Sequence, residues 1–149
     1  MARFIFSMQN LLTMKEKLEE QAKNEFSQAN MRLLEAEDEL DRLNDRQQKA
    51  EFELREEVAG LTDVRKIRQK EDALEILKMY VRQQQMVVRQ REIEVENARL
   101  KLQDAMKERK TFEKLREKAF EEFVAEENKK EQKEVDELVS YRYGSGLIS

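Results

Sequence analysis

The sequence contains no cysteine, proline, histidine or tryptophan, and only three glycines in 149 residues. Without cysteine there is no disulfide framework, no thiolate nucleophile and no zinc–thiolate site. Without histidine the commonest general base and metal ligand is missing. A site made of carboxylates or lysines would need perturbed groups in a partly dry concavity, and a long helical chain with solvated charges offers little of that. The expectation is a protein that is not an enzyme and uses no cofactor or metal. Gly60 is the only internal glycine, since Gly144 and Gly146 lie in the last six residues. With no proline and so little glycine, almost nothing interrupts a helix.

Long hydrophobic runs are also missing. None approaches the ~20 residues of a membrane span. The opening Met1-Ala2-Arg3-Phe4-Ile5-Phe6-Ser7 has a short apolar patch but no h-region or cleavage site, so it reads as no signal peptide. The net charge of −4 removes the electrostatic basis for general nucleic-acid binding. These features predict a cytoplasmic protein without direct membrane insertion.

What fills the chain is charge. Asp, Glu, Lys and Arg make up 42% of it, against about 25% in ordinary globular proteins. Together with Ala, Leu and Gln they give the composition of a long helix or coiled coil. The apolar residues confirm this by their spacing. A first stripe reads Phe4, Met8, Leu11, Leu18, Ala22, with Lys15 as an interruption, and resumes as Phe26, Ala29, Leu33, Ala36, Leu40, Leu43, Gln47, Ala50, Leu54. Alternating steps of four and three are the signature of a helix packed lengthwise on another helix. Between Ala22 and Ala29 this stripe slips by one residue, from the Phe4/Leu11/Leu18 column to the Phe26/Leu33/Leu40 column, which predicts a local change of supercoil. A second stripe starts at Leu74 and runs through Leu77, Val81, Val88, Val95, Ala98, Leu102, Ala105 and Phe112, then loosely through Leu115, Ala119 and Phe123. Gln84, Arg91 and Arg109 interrupt it, either as register-setting groups or as long side chains reaching solvent from its edge.

The expected architecture is a single coiled-coil domain over residues 1–149. Helix 1 spans about 4–58 and a turn and connector about 59–72. Helix 2 spans about 73–143, and a frayed tail 144–149. Gly60 fits a helix C-cap, and Thr62 or Asp63 an N-cap for the next helix. The stripes suit either a parallel dimer of one long helix or an antiparallel hairpin. Charge favours the hairpin: residues 1–60 carry a net −5, residues 61–110 a net +4 and residues 111–149 a net −3. Folding near Gly60 sets acidic beside basic, whereas a parallel homodimer sets acidic beside acidic. With the turn centred near 64, residue i faces roughly residue 128 − i. Phe4 then meets Val124, Met8 meets Phe120, and Phe4, Phe6, Phe120 and Phe123 gather. Helix 2 outruns helix 1 by the piece Asn128–Tyr143, ~20 Å at ~1.5 Å per residue.

Two surfaces stand out as contact candidates. Near the turn, Leu43 and Leu77 lie on the stripes, while Tyr80 is one position off and so the better exposed. Phe52 and Phe120 are also off the stripes. In the outrunning piece, Val135, Leu138 and Val139 recur at helical spacing with no facing helix, which fits either a solvated end or a helix that docks into a partner.

The sequence of that piece carries a resemblance. Glu127-Asn128-Lys129, then Gln132-Lys133, then Asp136-Glu137 is similar to the signature of the flagellar export protein family FliJ. Phe4 and Phe6, Leu11-Leu12 and Lys15-Glu16 at the start resemble the same family. So do Ala36-Glu37 with Leu40 and Leu43, and the stretch Glu108-Arg109-Lys110 to Glu113-Lys114-Leu115. The resemblance implies an all-α, antiparallel two-helix coiled-coil hairpin similar to the stalk (gamma) subunit of rotary ATP synthases. It implies a component of the flagellar type III export apparatus at the cytoplasmic face of the inner membrane, at the basal body. The implied partners are the hexameric export ATPase, the membrane export-gate protein and the export chaperones. The isolated chain would be a monomer. Carried over by position, Glu127, Asn128, Gln132, Lys133, Asp136 and Glu137 would contact the ATPase, and Leu43, Leu77 and Tyr80 the gate. Arg46, Ala50 and Ala73 stand where an enteric member carries aromatics. An injectisome stalk homologue and a purely structural coiled-coil scaffold are the alternatives.

Overall fold

The computed structural model describes residues 2–60 and 63–148, with side chains described as far as Gly144. Among these residues the fold is all-helical: α1 spans Gln9–Ala59 and α2 spans Val64–Ile148. The two helices pack against each other as an antiparallel hairpin. They contribute to two compact units, Met1–Glu20 with Asp104–Ser149, and Gln21–Gln103.

Within the unit Gln21–Gln103, cross-helix contacts fix the direction. Lys70 Nζ lies 3.9 Å from Glu57 Oε2, Gln84 Nε2 donates to the Ala36 carbonyl at 3.0 Å, and Lys101 Nζ meets Glu25 Oε2 at 2.8 Å. As the number on α2 rises, the number on α1 falls. The seam contains Ala22, Ala29, Ala36 and Leu43, spaced by seven and all buried. Three consecutive alanines let the helices approach closely, and they leave the Ala36 carbonyl open to the Gln84 amide. That carbonyl has a second lone pair beyond its helical bond. Gln84 therefore acts across the seam, while Arg91 turns to Glu94 of its own helix, 3.0 Å away.

The unit Met1–Glu20 with Asp104–Ser149 is antiparallel too. Arg109 bridges Glu19, Lys15 Nζ meets Glu108 Oε2 at 2.8 Å, and Arg116 Nε donates to Gln9 Oε1 at 3.1 Å. Phe4 packs edge-on against Phe120, with centroids 5.2 Å apart, and tilted against Phe123 at 5.5 Å. The Arg116 guanidinium sits 5.7 Å from the centre of the Phe4 ring. Of the expected gathering of Phe4, Phe6, Phe120 and Phe123, ring contacts join Phe4 to Phe120 and Phe123, while Phe6 is buried with no ring contact to them among the described residues. The rings of Phe120 and Phe123 thus meet Phe4, where the simple pairing rule put Val124 against Phe4 and Phe120 against Met8.

Four boundaries or registers differ from the sequence reading. First, α1 starts at Gln9 rather than near Phe4. Phe4 is half-buried, Ile5 is 80% exposed and Phe6 is buried. This alternation belongs to extended chain, which turns both phenylalanines inward and closes through Gln9 N–H donating to the Phe6 carbonyl at 3.1 Å.

Second, the stripe on α1 does not slip. Leu12 is buried and Leu11 is 43% exposed; Glu19 is buried and Leu18 is 43% exposed. The seam runs Met8, Leu12, Lys15, Glu19, Ala22, Phe26 in unbroken steps of four and three. A carboxylate occupies a seam position because Arg109 bonds it from the facing helix, and the adjacent leucines took its place in the hydrophobic pattern.

Third, the connector is only a few residues long. The Asp63 side chain accepts from Arg65 N–H at 3.0 Å, as an N-cap does, and its carbonyl accepts from Lys66 N–H at 3.1 Å. Residues 64–72 are the first turns of α2, with Ile67 and Lys70 continuing the seam backwards from Leu74. Gly60 N–H donates to the Glu56 carbonyl at 3.0 Å. Thr62, the alternative cap, lies outside the described residues, as does Leu61.

Fourth, α2 runs through Gly144 to Ile148 instead of ending at Tyr143. Glycine lowers helix propensity by ~1 kcal/mol but keeps its N–H, so unlike proline it does not stop a helix. Ser149 lies outside the described residues.

The hairpin supports a direct test. The chain has no cysteine of its own, so Gln9→Cys and Arg116→Cys would be its only thiols. A short bismaleimide should join them within one chain, leaving the mass at the monomer's 17.9 kDa plus linker. Product formed only between chains would overturn the antiparallel assignment.

Candidate functional site

The exposed part of α2 begins where its seam ends. Ala119 and Phe123 are half-buried, and so is Glu127, but from Asn128 to Gly144 every side chain is exposed. The helix continues there with nothing packed on it among the described residues. Val135, Leu138, Val139, Tyr141 and Tyr143 are all at least half exposed. The signature residues lie on this stretch. Gln132 Nε2 donates to Asp136 Oδ1 at 3.2 Å, so the two share one face, as their i, i+4 spacing requires. Lys133 and Glu137, one residue on, flank that face. Glu127 Oε1 is 3.9 Å from Lys130 Nζ, and Asn128 is exposed beside it.

The three turn-side residues separate by burial. Leu43 is buried in the seam, Leu77 is half-buried and Tyr80 is 49% exposed. Leu77 borders a shallow surface groove with Arg46, Lys49, Ala50, Ala73 and Ile76. In the free chain, then, Leu43 shapes the seam beneath this surface, whereas Leu77 and Tyr80 reach it. Both surfaces were legible as helix positions in the sequence; which side of each residue faces the partner helix was not.

The strongest polar feature was missed by pattern reading. Glu19 and Glu113 both bond the Arg109 guanidinium, from the facing helix and from one turn on. These carboxylates hold Arg109 above its ordinary range, the Glu19 hydrogen bond being the larger cause and the Glu113 bond next. The signal was Arg109 at a seam position opposite an acidic residue at roughly the expected pairing. On the surface, the hydrogen bond from Lys101 holds the Glu25 carboxyl below its usual 4.5, and Arg99 does the same to Glu96. No group of three or more acidic side chains among the described residues is placed to hold a metal ion. No described helix is long and apolar enough to cross a membrane.

The family profile described as "Flagellar FliJ protein" matches residues 4–146. The chain belongs to the FliJ family. It is thus a component of type III secretion or flagellar export, in a family whose members are non-enzymatic. The match spans both helices and nearly all of the exposed end of α2. Among curated proteins nothing matches the chain. Among solved structures, the Chlamydia trachomatis protein CT670, described as a candidate homolog of YscO, is similar at 19% identity. That match covers 95% of this chain and 96% of that one, with a TM-score of 0.49.

Proposed function

We propose that this FliJ-family chain couples the export ATPase to the membrane export gate. The exposed end of α2 enters the ATPase hexamer, with Glu127, Asn128, Gln132, Lys133, Asp136 and Glu137 as polar contacts. The turn-side surface of Leu77 and Tyr80, held in shape by Leu43, meets the gate protein. In this role the hairpin promotes assembly and activity of the ATPase ring and escorts export chaperones at the cytoplasmic face of the inner membrane. Family membership supports the setting. The observation that carries the ATPase assignment is the run of exposed side chains from Asn128 to Gly144 on a helix that nonetheless continues to Ile148. Most helical stability in proteins comes from packing of an apolar face, and this stretch has none among the described residues, so extending the helix so far past its packed portion suits a helix awaiting a socket.

The mechanism asks no chemistry of the chain. A two-helix hairpin transmits position: contacts at the α2 end bias the ring, and contacts at the turn side report to the gate. The turn-side half is tested with Tyr80→Ala, an exposed change that spares the seam. Pull-down on the cytoplasmic part of the gate protein should weaken, with co-purification of the export ATPase unchanged, with and without nucleotide. Equal loss of both partners, or of neither, would refute the division of labour.

A further inference from the structure

A second stripe runs along α2 on the side away from α1. Met79, Met86, Ile93 and Leu100 are spaced by seven, and all are between 44% and 68% exposed. Three residues before each stand Ile76, Gln83, Gln90 and Asn97, likewise exposed. Every member lies two residues beyond a position of the hairpin seam (Ile76 after Leu74, Met79 after Leu77), or ~200° around the helix. The stripe is therefore opposite the seam, uncharged throughout its ~36 Å length, and confined to the unit Gln21–Gln103. In a chain with 42% charged residues, eight successive seam-type positions without a charge are not what a solvated face requires. Steps of three and four are the pattern of a surface that receives another helix.

The flanks say what kind of helix. Glu75 is paired with Lys78, Glu94 with Arg91, Glu96 with Arg99 and Lys101 with Glu25. Arg82 and Arg89, seven apart on one edge, carry the charges left without an ion pair among the described residues. We propose that this face docks an amphipathic helix of another protein, with apolar residues at heptad spacing and carboxylates positioned for Arg82 and Arg89. Methionines at two of the four apolar positions suit such a contact, because they adapt to different partner side chains. A second copy of this chain fits less well. Antiparallel pairing about the middle of the stripe sets Arg89 against its own mate. Parallel pairing stacks Gln83, Gln90 and Asn97 each on itself, so polar layers alternate with apolar ones. Ile76 also borders the turn-side groove, but Met86 and Ile93 lie beyond Tyr80 and far from the α2 end along the helix, so changes at those two positions separate this face from both proposed contacts.

The test uses the full chain and two fluorescent designed helices with leucines at heptad spacing, one flanked by Glu and one by Lys. Anisotropy should show the acidic helix binding about fivefold or more tighter, the scale of two exposed charge pairs. Arg82→Glu with Arg89→Glu should reverse that order. Met86→Glu with Ile93→Glu should abolish binding of both helices at unchanged helicity, while ATPase co-purification persists. Equal binding of the two helices, no reversal by the arginine changes, or binding retained by the Met86/Ile93 variant would overturn the proposal. So would a dimer of the unchanged chain in light scattering that the Met86/Ile93 variant dissolves, since the occupant would then be a second copy.

Discussion

Deleting residues 128–149 should leave the hairpin folded and eliminate association with the export ATPase. The folded part is spared because the deleted segment buries nothing: every described side chain from Asn128 onward is exposed, and the last ring contact on α2 is that of Phe123 with Phe4 of the extended entry segment. Thermal unfolding by circular dichroism should therefore keep its midpoint, while the helical signal drops only by the residues removed. ATPase binding and stimulation should fall below detection, because the deletion takes five of the six proposed contact residues. A milder change, Gln132→Ala with Asp136→Ala, removes one polar face and should weaken binding about tenfold at most, as a pair of rim contacts does. Residual binding should decline further with salt, since the screening length of exposed charges shortens from ~8 Å at physiological ionic strength to ~3 Å at about 1 M. Full ATPase binding by the deletion variant would show that the α2 end is not the contact.

The second large effect separates adjacent leucines. Leu12→Ala should destabilise the chain by ~2–4 kcal/mol, because Leu12 is only 3% exposed and its removal leaves a gap in the seam. Leu11→Ala should cost about 0.5 kcal/mol, as for an exposed position. At ~2–4 °C per kcal/mol for a chain of this size, the first change lowers the midpoint by roughly 5–15 °C and the second by a degree or two. The hydrophobic stripe read from the sequence expects the opposite order, with Leu11 on the seam. Equal midpoints for the two variants would reject the register of the structure.

That contrast shows where the sequence was legible. Steps of four and three were readable from Phe26 to Leu54 and from Leu74 to Phe112 because apolar residues hold nearly every seam position there. At Glu19 the same reading failed. Pattern reading assumes that a seam residue is apolar, but a carboxylate can be buried when a guanidinium from the facing helix bonds it. Arg109 is ninety residues away in sequence, so no local window contains both partners. The start of α1 failed for a related reason. Phe4 and Phe6 fit a helical stripe as well as an extended one, and only the position of Phe120 and Phe123 selects the extended chain that presents both rings.

The candidate contact surfaces divide in the same way. Gln132 and Asp136 share a face because any α-helix places i and i+4 together, so their arrangement was available before the fold. Leu43, Leu77 and Tyr80 looked comparable as positions near a turn, and only packing against the opposite helix buries Leu43 and leaves Tyr80 open. The stripe from Ile76 to Leu100 is a further case. Its spacing was present in the sequence, hidden beside the stronger seam of the same period, and it becomes a separate surface only once α1 occupies the other side of α2.

The sequence by itself determined that the chain is helical, that a break falls near Gly60, and that its two segments attract. Those properties follow from propensity, the absence of proline and the placement of charge, all of which act locally or by simple summation. The tertiary structure decided the register of α1 at Leu12 and Glu19, the extended entry through Phe4 and Phe6, and which apolar residues remain open to partners. Each of these depends on a particular atom of one helix meeting a particular atom of the other, and helical periodicity alone permits more than one such pairing.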